Sequence, residues 1–147
     1  MNISDLLKNP QEIDKKVEKF FDKFSSDELE KIIPYLTSPI LLYKCAIKIG
    51  KQLPPEKEKS LLVHPILAHQ YNLKIKKQKW KELEEVIKCY SELALEYAYF
   101  ILNDRFKEGE SSIIVSPKSL KIYIKFLKSI DKLEEFYNDY PFLKSSS

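Results

Sequence analysis

The stretch WKELEEVIKCYSELALEYAYFI, residues 80–101, decides the fold class. Trp80, Leu83, Val86, Ile87, Tyr90, Leu93, Ala94, Tyr97, Phe100 and Ile101 recur at helical spacing, an apolar face held for about six turns. Neither Pro nor Gly interrupts the chain between Pro65 and Gly109. Upstream, Ile66, Leu67, Tyr71, Leu73 and Ile75 carry a second apolar pattern. A turn at Lys76–Lys79 is favoured over one continuous helix, and whether residues 66–106 form one helix or two stays open.

Prolines and caps divide the rest of the chain. Asn9-Pro10 with Glu12 predicts a capping box and a proline start, followed by Ile13, Val17, Phe20, Phe21 and Phe24 on one face. Ser25 with Glu28 predicts a second capped helix, with Leu29, Ile32, Ile33 and Leu36 inward and an interruption or end at Pro34. Ser38-Pro39 opens a third helix that stops at Gly50, and its near-total lack of polar residues places it in the middle of a bundle. Pro54-Pro55-Glu56 starts a short helix, and His64-Pro65 marks the next break. Ser111–Val115 reads as a loop, with Ile113, Ile114 and Val115 packed as an extended strap or paired with something external. Ser116-Pro117 begins the last long helix, with Leu120, Ile124, Leu127, Ile130 and Leu133 inward. Asp131 with Glu134 caps a separate final turn, and Pro141 with the serine tail ends the ordered chain. The expectation is an all-α protein, a compact antiparallel bundle of six to eight helices with repeat-like hairpin stacking as a variant. One domain covers 1–144, and 145–147 form a disordered tail.

Composition narrows the function classes. In 147 residues, 44% are hydrophobic and 32% charged, which suits a folded chain and is too apolar for disorder. Only two glycines occur, which disfavours turn-rich β folds, phosphate-cradling loops and dinucleotide fingerprints. No apolar run approaches the roughly 20 residues of a membrane span, and residues 1–16 lack the apolar core of a secretory signal. Cys45 and Cys89 are too few for a disulfide framework or a metal site, so a cytoplasmic, reducing compartment is expected.

Residues 66–95 form a helix, a Lys-rich turn, then Trp80-x-x-Leu83, Val86-Ile87-x-Cys89-Tyr90 and Leu93-Ala94. This segment resembles a tetratricopeptide-type helical hairpin. Residues 122–137, with Lys132-Leu133-Glu134-Glu135, likewise resemble a tetratricopeptide or pentatricopeptide hairpin, and together the two cover about a third of the chain. The signature glycine of that family is absent from both hairpins, and its period of roughly 34 residues does not run through the sequence. The resemblance implies peptide or RNA binding on a concave face and assigns no particular residues to it.

Catalytic and metal-binding patterns are not found. His64 and His69, five apart, do not share a helical face, and no further ligands accompany them. Cys45 lies on the most apolar helix and reads as a core residue, while no histidine stands near Cys89 in sequence. Glu85, Glu92 and Glu96 lie near one helical face, but the Glu-x-x-His partners of a di-metal bundle are missing. No cofactor and no small-molecule substrate is implied.

Two basic features stand out. Lys74, Lys76, Lys77, Lys79 and Lys81 crowd eight residues without an acid among them. Lys118, Lys121, Lys125, Lys128 and Lys132 step by three and four, a row about 21 Å long on one helical face. Such like-charge pairs cost a helix a few tenths of a kcal/mol each. A single arginine, Arg105, accompanies all these lysines, so any anion recognition must use point charges with little sequence selectivity. The modest net charge of +3 hides alternating blocks, with residues 66–81 and 111–132 strongly basic and 82–110 acidic. The expected function is a non-catalytic adaptor or accessory subunit that binds a protein partner in a larger assembly. The alternative is a nucleic-acid-binding accessory protein of a replication or RNA-processing complex, holding the backbone of DNA or RNA through both lysine clusters.

Overall fold

A computed structural model describes residues 3–144; the tail expected at 145–147 lies outside the described residues. Twelve α-helices and no strand occur among them. The chain divides into two compact units, Met1–Lys77 and Gln78–Ser147.

In the first unit, α1 (Ile3–Leu7) precedes α2 (Ile13–Lys19). The predicted capping box at Asn9 is not formed: the Asn9 side chain makes no cap bond, and the chain enters α2 through a 3-10 turn at Pro10–Glu12. The box at Ser25 is formed, opening α3 (Ser26–Ile32). The Glu28 amide donates to Ser25 Oγ and the Ser25 amide donates to Glu28 Oε1. Helix α4 (Pro39–Ile49) runs from the Ser38 cap to Gly50, whose φ of 76° is the left-handed conformation that a glycine adopts without strain. Short α5 (Pro55–Ser60) leads to α6 (Pro65–Tyr71), which continues as a π-helical turn over Asn72–Lys76. Lys77, at φ 52°, ends it, so the turn favoured near Lys76–Lys79 is present.

The second unit corrects the boldest expectation. Residues 80–101 form two helices, α7 (Lys81–Ile87) and α8 (Ser91–Glu96), and α8 is prolonged by a π-helical turn over Tyr97–Leu102. The break at Lys88–Tyr90 needs no proline or glycine because a tertiary bond requires it. The Trp80 amide donates to the Tyr97 hydroxyl at 3.0 Å. In one continuous helix these residues would stand about 25 Å apart. Helix α9 (Glu110–Ile114) replaces the loop expected at Ser111–Val115, because Glu110 and Ile113 both turn inward. It is followed by α10 (Pro117–Ser129), α11 (Leu133–Asp139) and α12 (Pro141–Lys144). Asp131 makes no cap; it sits at φ 63° and Lys132 precedes α11. Breaks of this kind give twelve short helices where six to eight longer ones were expected.

A 26-residue period underlies both units. Tyr71 donates its hydroxyl hydrogen to Glu58 Oε2 at 2.5 Å and accepts from the Leu53 amide at 2.9 Å. Tyr97 does the same with Glu84 at 2.6 Å and the Trp80 amide, and Tyr123 with Glu110 at 2.5 Å and the Phe106 amide at 3.2 Å. The three tyrosines are spaced by 26, and so are the three glutamates. Pro39, Pro65, Ser91 and Pro117 keep the same period as first residues of α4, α6, α8 and α10. Each repeat is a hairpin whose second helix returns a buried tyrosine to the start of the first. In the α3–α4 hairpin, Ile32 and Cys45 occupy the corresponding positions, both fully buried, so apolar residues replace the polar pair. Burial also lifts the Cys45 thiol to a pKa of about 11, consistent with a packed core residue.

Candidate functional site

The α9–α10 hairpin of the second unit carries the unusual surface, and Arg105 anchors it. This single arginine is buried. Its Nε and Nη2 donate to Glu110 Oε2 and Oε1 at 2.9 and 2.7 Å, Nη1 to Glu135 at 3.0 Å, and Nη2 also to Asp139 at 2.7 Å. The guanidinium lies 5.6 Å from the Phe136 ring. Its pKa is raised further, chiefly by the hydrogen bonds it donates to Glu110. Arg105 therefore joins the start of α9 to α11 and is not offered to a ligand. Nothing in the sequence pattern marked it for this role, apart from its being the one arginine in a chain of lysines.

Helix α10 is rotated from the predicted orientation, although Leu127 lies inward as expected. Ser119, Tyr123, Phe126 and Leu127 are buried, whereas Leu120 and Ile124 are only half-buried. The Tyr123 hydroxyl, drawn to Glu110 and the Phe106 amide, sets that rotation, and the ring packs 5.4 Å from Phe136. Burial, then the bond to Glu110, pushes the Tyr123 pKa well above its usual value.

The opposite face carries Lys118, Lys121, Lys125 and Lys128, all exposed, with no carboxylate within ion-pair distance of any of them among the described residues. These four span about 15 Å along the helix. Lys132 lies beyond the end of α10, and its Nζ is 3.7 Å from Glu135. Apolar side chains flank the row on both sides. On one side is Ile122, 45% exposed, with Tyr99 beside Phe126 at a centroid distance of 5.2 Å and Phe100 edge-on to Tyr99. On the other, Pro117, Leu120 and Ile124 line a groove of about 400 Å³ rimmed by Lys121 and Lys125.

The Lys74–Lys81 cluster is dispersed by comparison. Lys74 donates to the Tyr43 hydroxyl at 3.2 Å, and Lys76 pairs with the buried Glu58 at 2.7 Å. These two and Lys77 belong to the first unit, Lys79 and Lys81 to the second. Lys77, Lys79 and Lys81 are exposed.

His69 is buried on α6, and His64 is exposed at its start. Cys45 is buried and Cys89 exposed, neither in a disulfide. Among the described residues, no group of three or more His, Cys, Asp or Glu is placed to hold a metal ion. No helix there is long and apolar enough to cross a membrane. A second cavity, about 280 Å³ between Ile33, Pro34, Ile49 and Leu53, is bordered by the exposed Lys51–Glu30 pair. No protein-family model, curated protein or solved structure matches the chain.

Proposed function

We propose that this chain is a non-catalytic helical adaptor or accessory subunit that binds a protein partner in a larger intracellular assembly. The observation that carries this reading is the outer face of α10, where four unpaired lysines run between two strips of exposed or half-exposed apolar side chains. A face built only for solvent gains nothing from either feature. Like charges at helical spacing oppose the helix, and exposed Ile122, Tyr99 and Phe100 leave apolar area in water. Contact with a partner offsets both costs. The carboxylates of the repeat support the same reading, since buried Glu58 and Glu110 and half-buried Glu84 are each engaged by a tyrosine hydroxyl.

The test is native purification of the full chain from its own cells at about 150 mM salt, with and without nuclease, followed by light scattering and mass spectrometry. A protein that co-elutes in fixed stoichiometry and survives nuclease is the expected result. A monomer without a stoichiometric protein companion refutes the reading.

A second reading has its own observation. Tyr99 and Phe100 are 51% and 63% exposed, and exposed aromatic faces together with lysines suit stacked bases and a phosphate backbone. In this alternative, DNA or RNA is held with little sequence preference by the Lys118–Lys132 row and the Lys74–Lys81 cluster. Anisotropy with single-stranded and duplex oligonucleotides between about 50 and 200 mM salt tests it. Micromolar binding that falls steeply with salt and is lost in Lys121→Glu/Lys125→Glu supports it, and no binding at the lowest salt refutes it.

A further inference from the structure

Helices α4, α8 and α10 hold the same place in their hairpins, yet one face is treated differently in the last of them. In α4, Leu42 and Ala46 are fully buried, and so are Ala94 of α8 and Ala98 of the π-helical turn that prolongs it. Within each unit the following hairpin lies against the helix: α4 contacts α5 and α6, and α8 contacts α9 and α10. The approach is close, since a Cβ built on Gly109 would come within 2.8 Å of the Ala94 side chain. Leu120 and Ile124 occupy the corresponding positions of α10, 26 residues after Ala94 and Ala98. They are half-buried and open onto the groove of about 400 Å³, whose lining comes from α10 alone. At the position between them, buried Leu95 of α8 is replaced by exposed Lys121.

This face is therefore where the repeat seats a helix, altered so that its neighbour must be anionic. We propose that the α10 groove receives one α-helix of a protein partner, apolar on one side and flanked by Asp or Glu, seated against α10 as α10 is seated against α8. The inference rests on the adaptor reading and names the chemistry of its partner. Leucine-like side chains at i, i+3, i+4 and i+7 cover Leu120 and Ile124. Carboxylates along the edge facing the row meet Lys118, Lys121, Lys125 and Lys128, and about three turns match the row. A phosphate backbone supplies the charge but nothing apolar for Leu120 and Ile124.

The probe is a fluorescent, acetylated helical peptide of about four turns, with a Leu stripe at those spacings and Glu along both edges. Controls carry Lys for Glu, or Ser for Leu. With the full chain, the Glu peptide is expected to bind at micromolar level, and both controls at least tenfold more weakly. In Lys121→Glu/Lys125→Glu, two exposed substitutions that leave the core intact, the preference inverts and the Lys peptide binds better. Amide shifts on binding concentrate at Leu120–Lys125. Lack of binding at about 50 mM salt, equal binding of the Ser control, shifts elsewhere, concentration-dependent self-association that blocks the peptide, or displacement by an equimolar oligonucleotide each overturn the proposal. Native purification of the same variant separates the two claims. A partner that stays on the variant keeps the adaptor reading and overturns the groove, whereas no partner on either form overturns the adaptor reading itself.

Discussion

Replacing Tyr123 by phenylalanine tests the repeated tyrosine contact at the place where it is most buried. The ring, 5.4 Å from Phe136, keeps its packing, so the cavity cost is close to zero and the effect comes from the hydroxyl. Two bonds disappear. One is charge-assisted, to Glu110 Oε2, and bonds of this kind contribute about 1.5–3 kcal/mol. The other leaves the buried Phe106 amide without its acceptor, at about 1–3 kcal/mol. Glu110 keeps both bonds from Arg105, so no isolated charge is created, and the variant no longer has to desolvate a hydroxyl. A net loss of about 3 kcal/mol follows. At Tyr71 the acceptor, Glu58, has a side chain 7% exposed and retains Lys76, which gives about 2–3 kcal/mol. At Tyr97, half-buried Glu84 is rehydrated, and the loss shrinks to about 1–2 kcal/mol. Urea unfolding followed by circular dichroism measures these losses. Native-state hydrogen exchange reads the Leu53, Trp80 and Phe106 amides, each of which should lose protection only in its own variant. Equal losses in all three variants, less than about 0.5 kcal/mol at Tyr123, or an unchanged Phe106 amide would refute the reasoning.

The same hydroxyls predict alkaline behaviour. Burial first, and the neighbouring carboxylate second, raise the pKa of Tyr71 and Tyr97 as they do that of Tyr123. The folded chain then holds protons that the unfolded chain releases, so this stability is complete below pH of about 10 and falls above it by about 1.4 kcal/mol per pH unit and tyrosine. Tyrosinate absorbance should show these three protonated until unfolding; ionisation in the folded chain would contradict the burial. Arg105→Lys, which cannot reproduce the fork onto Glu110 and Asp139, should cost about 3–5 kcal/mol in urea unfolding, and a loss below about 1 kcal/mol would deny its anchoring role. Gly109→Ala should destabilise by about 1–3 kcal/mol, because the new methyl lies 2.7 Å from the Phe106 ring. Gly50→Ala meets no neighbour and should cost only the left-handed backbone, about 1 kcal/mol; a reversed order in thermal melts would contradict both assignments.

What the sequence disclosed depended on the range of the signal. Helix α4 was legible from Ser38-Pro39 to Gly50 because its cap, its proline and its stop are all local. Residues 80–101 misled because their apolar period runs on through Lys88–Tyr90, while the bond that folds the segment back joins residues 17 apart. Helix α10 offered two overlapping apolar sets, Leu120–Ile124–Leu127 and Tyr123–Phe126–Leu127. The choice between them lay with Glu110, outside the helix. Its lysine row was readable because like charges on one face need no tertiary information, whereas the groove beside it was hidden by that same rotation. The 26-residue period stood in Pro39, Pro65 and Pro117, in three glutamates and in three tyrosines. Residues between them vary too much, as in Ala68, Ala94 and Leu120, for similarity to reveal it without those fixed points.

Because each tyrosine finds both partners 13 to 18 residues earlier, a hairpin closes its buried bonds within itself. Loop-closure entropy is then small and nearly the same for every hairpin, which favours rapid folding with low contact order. During synthesis, a hairpin can mature as soon as its tyrosine leaves the ribosome, without waiting for the rest of the chain.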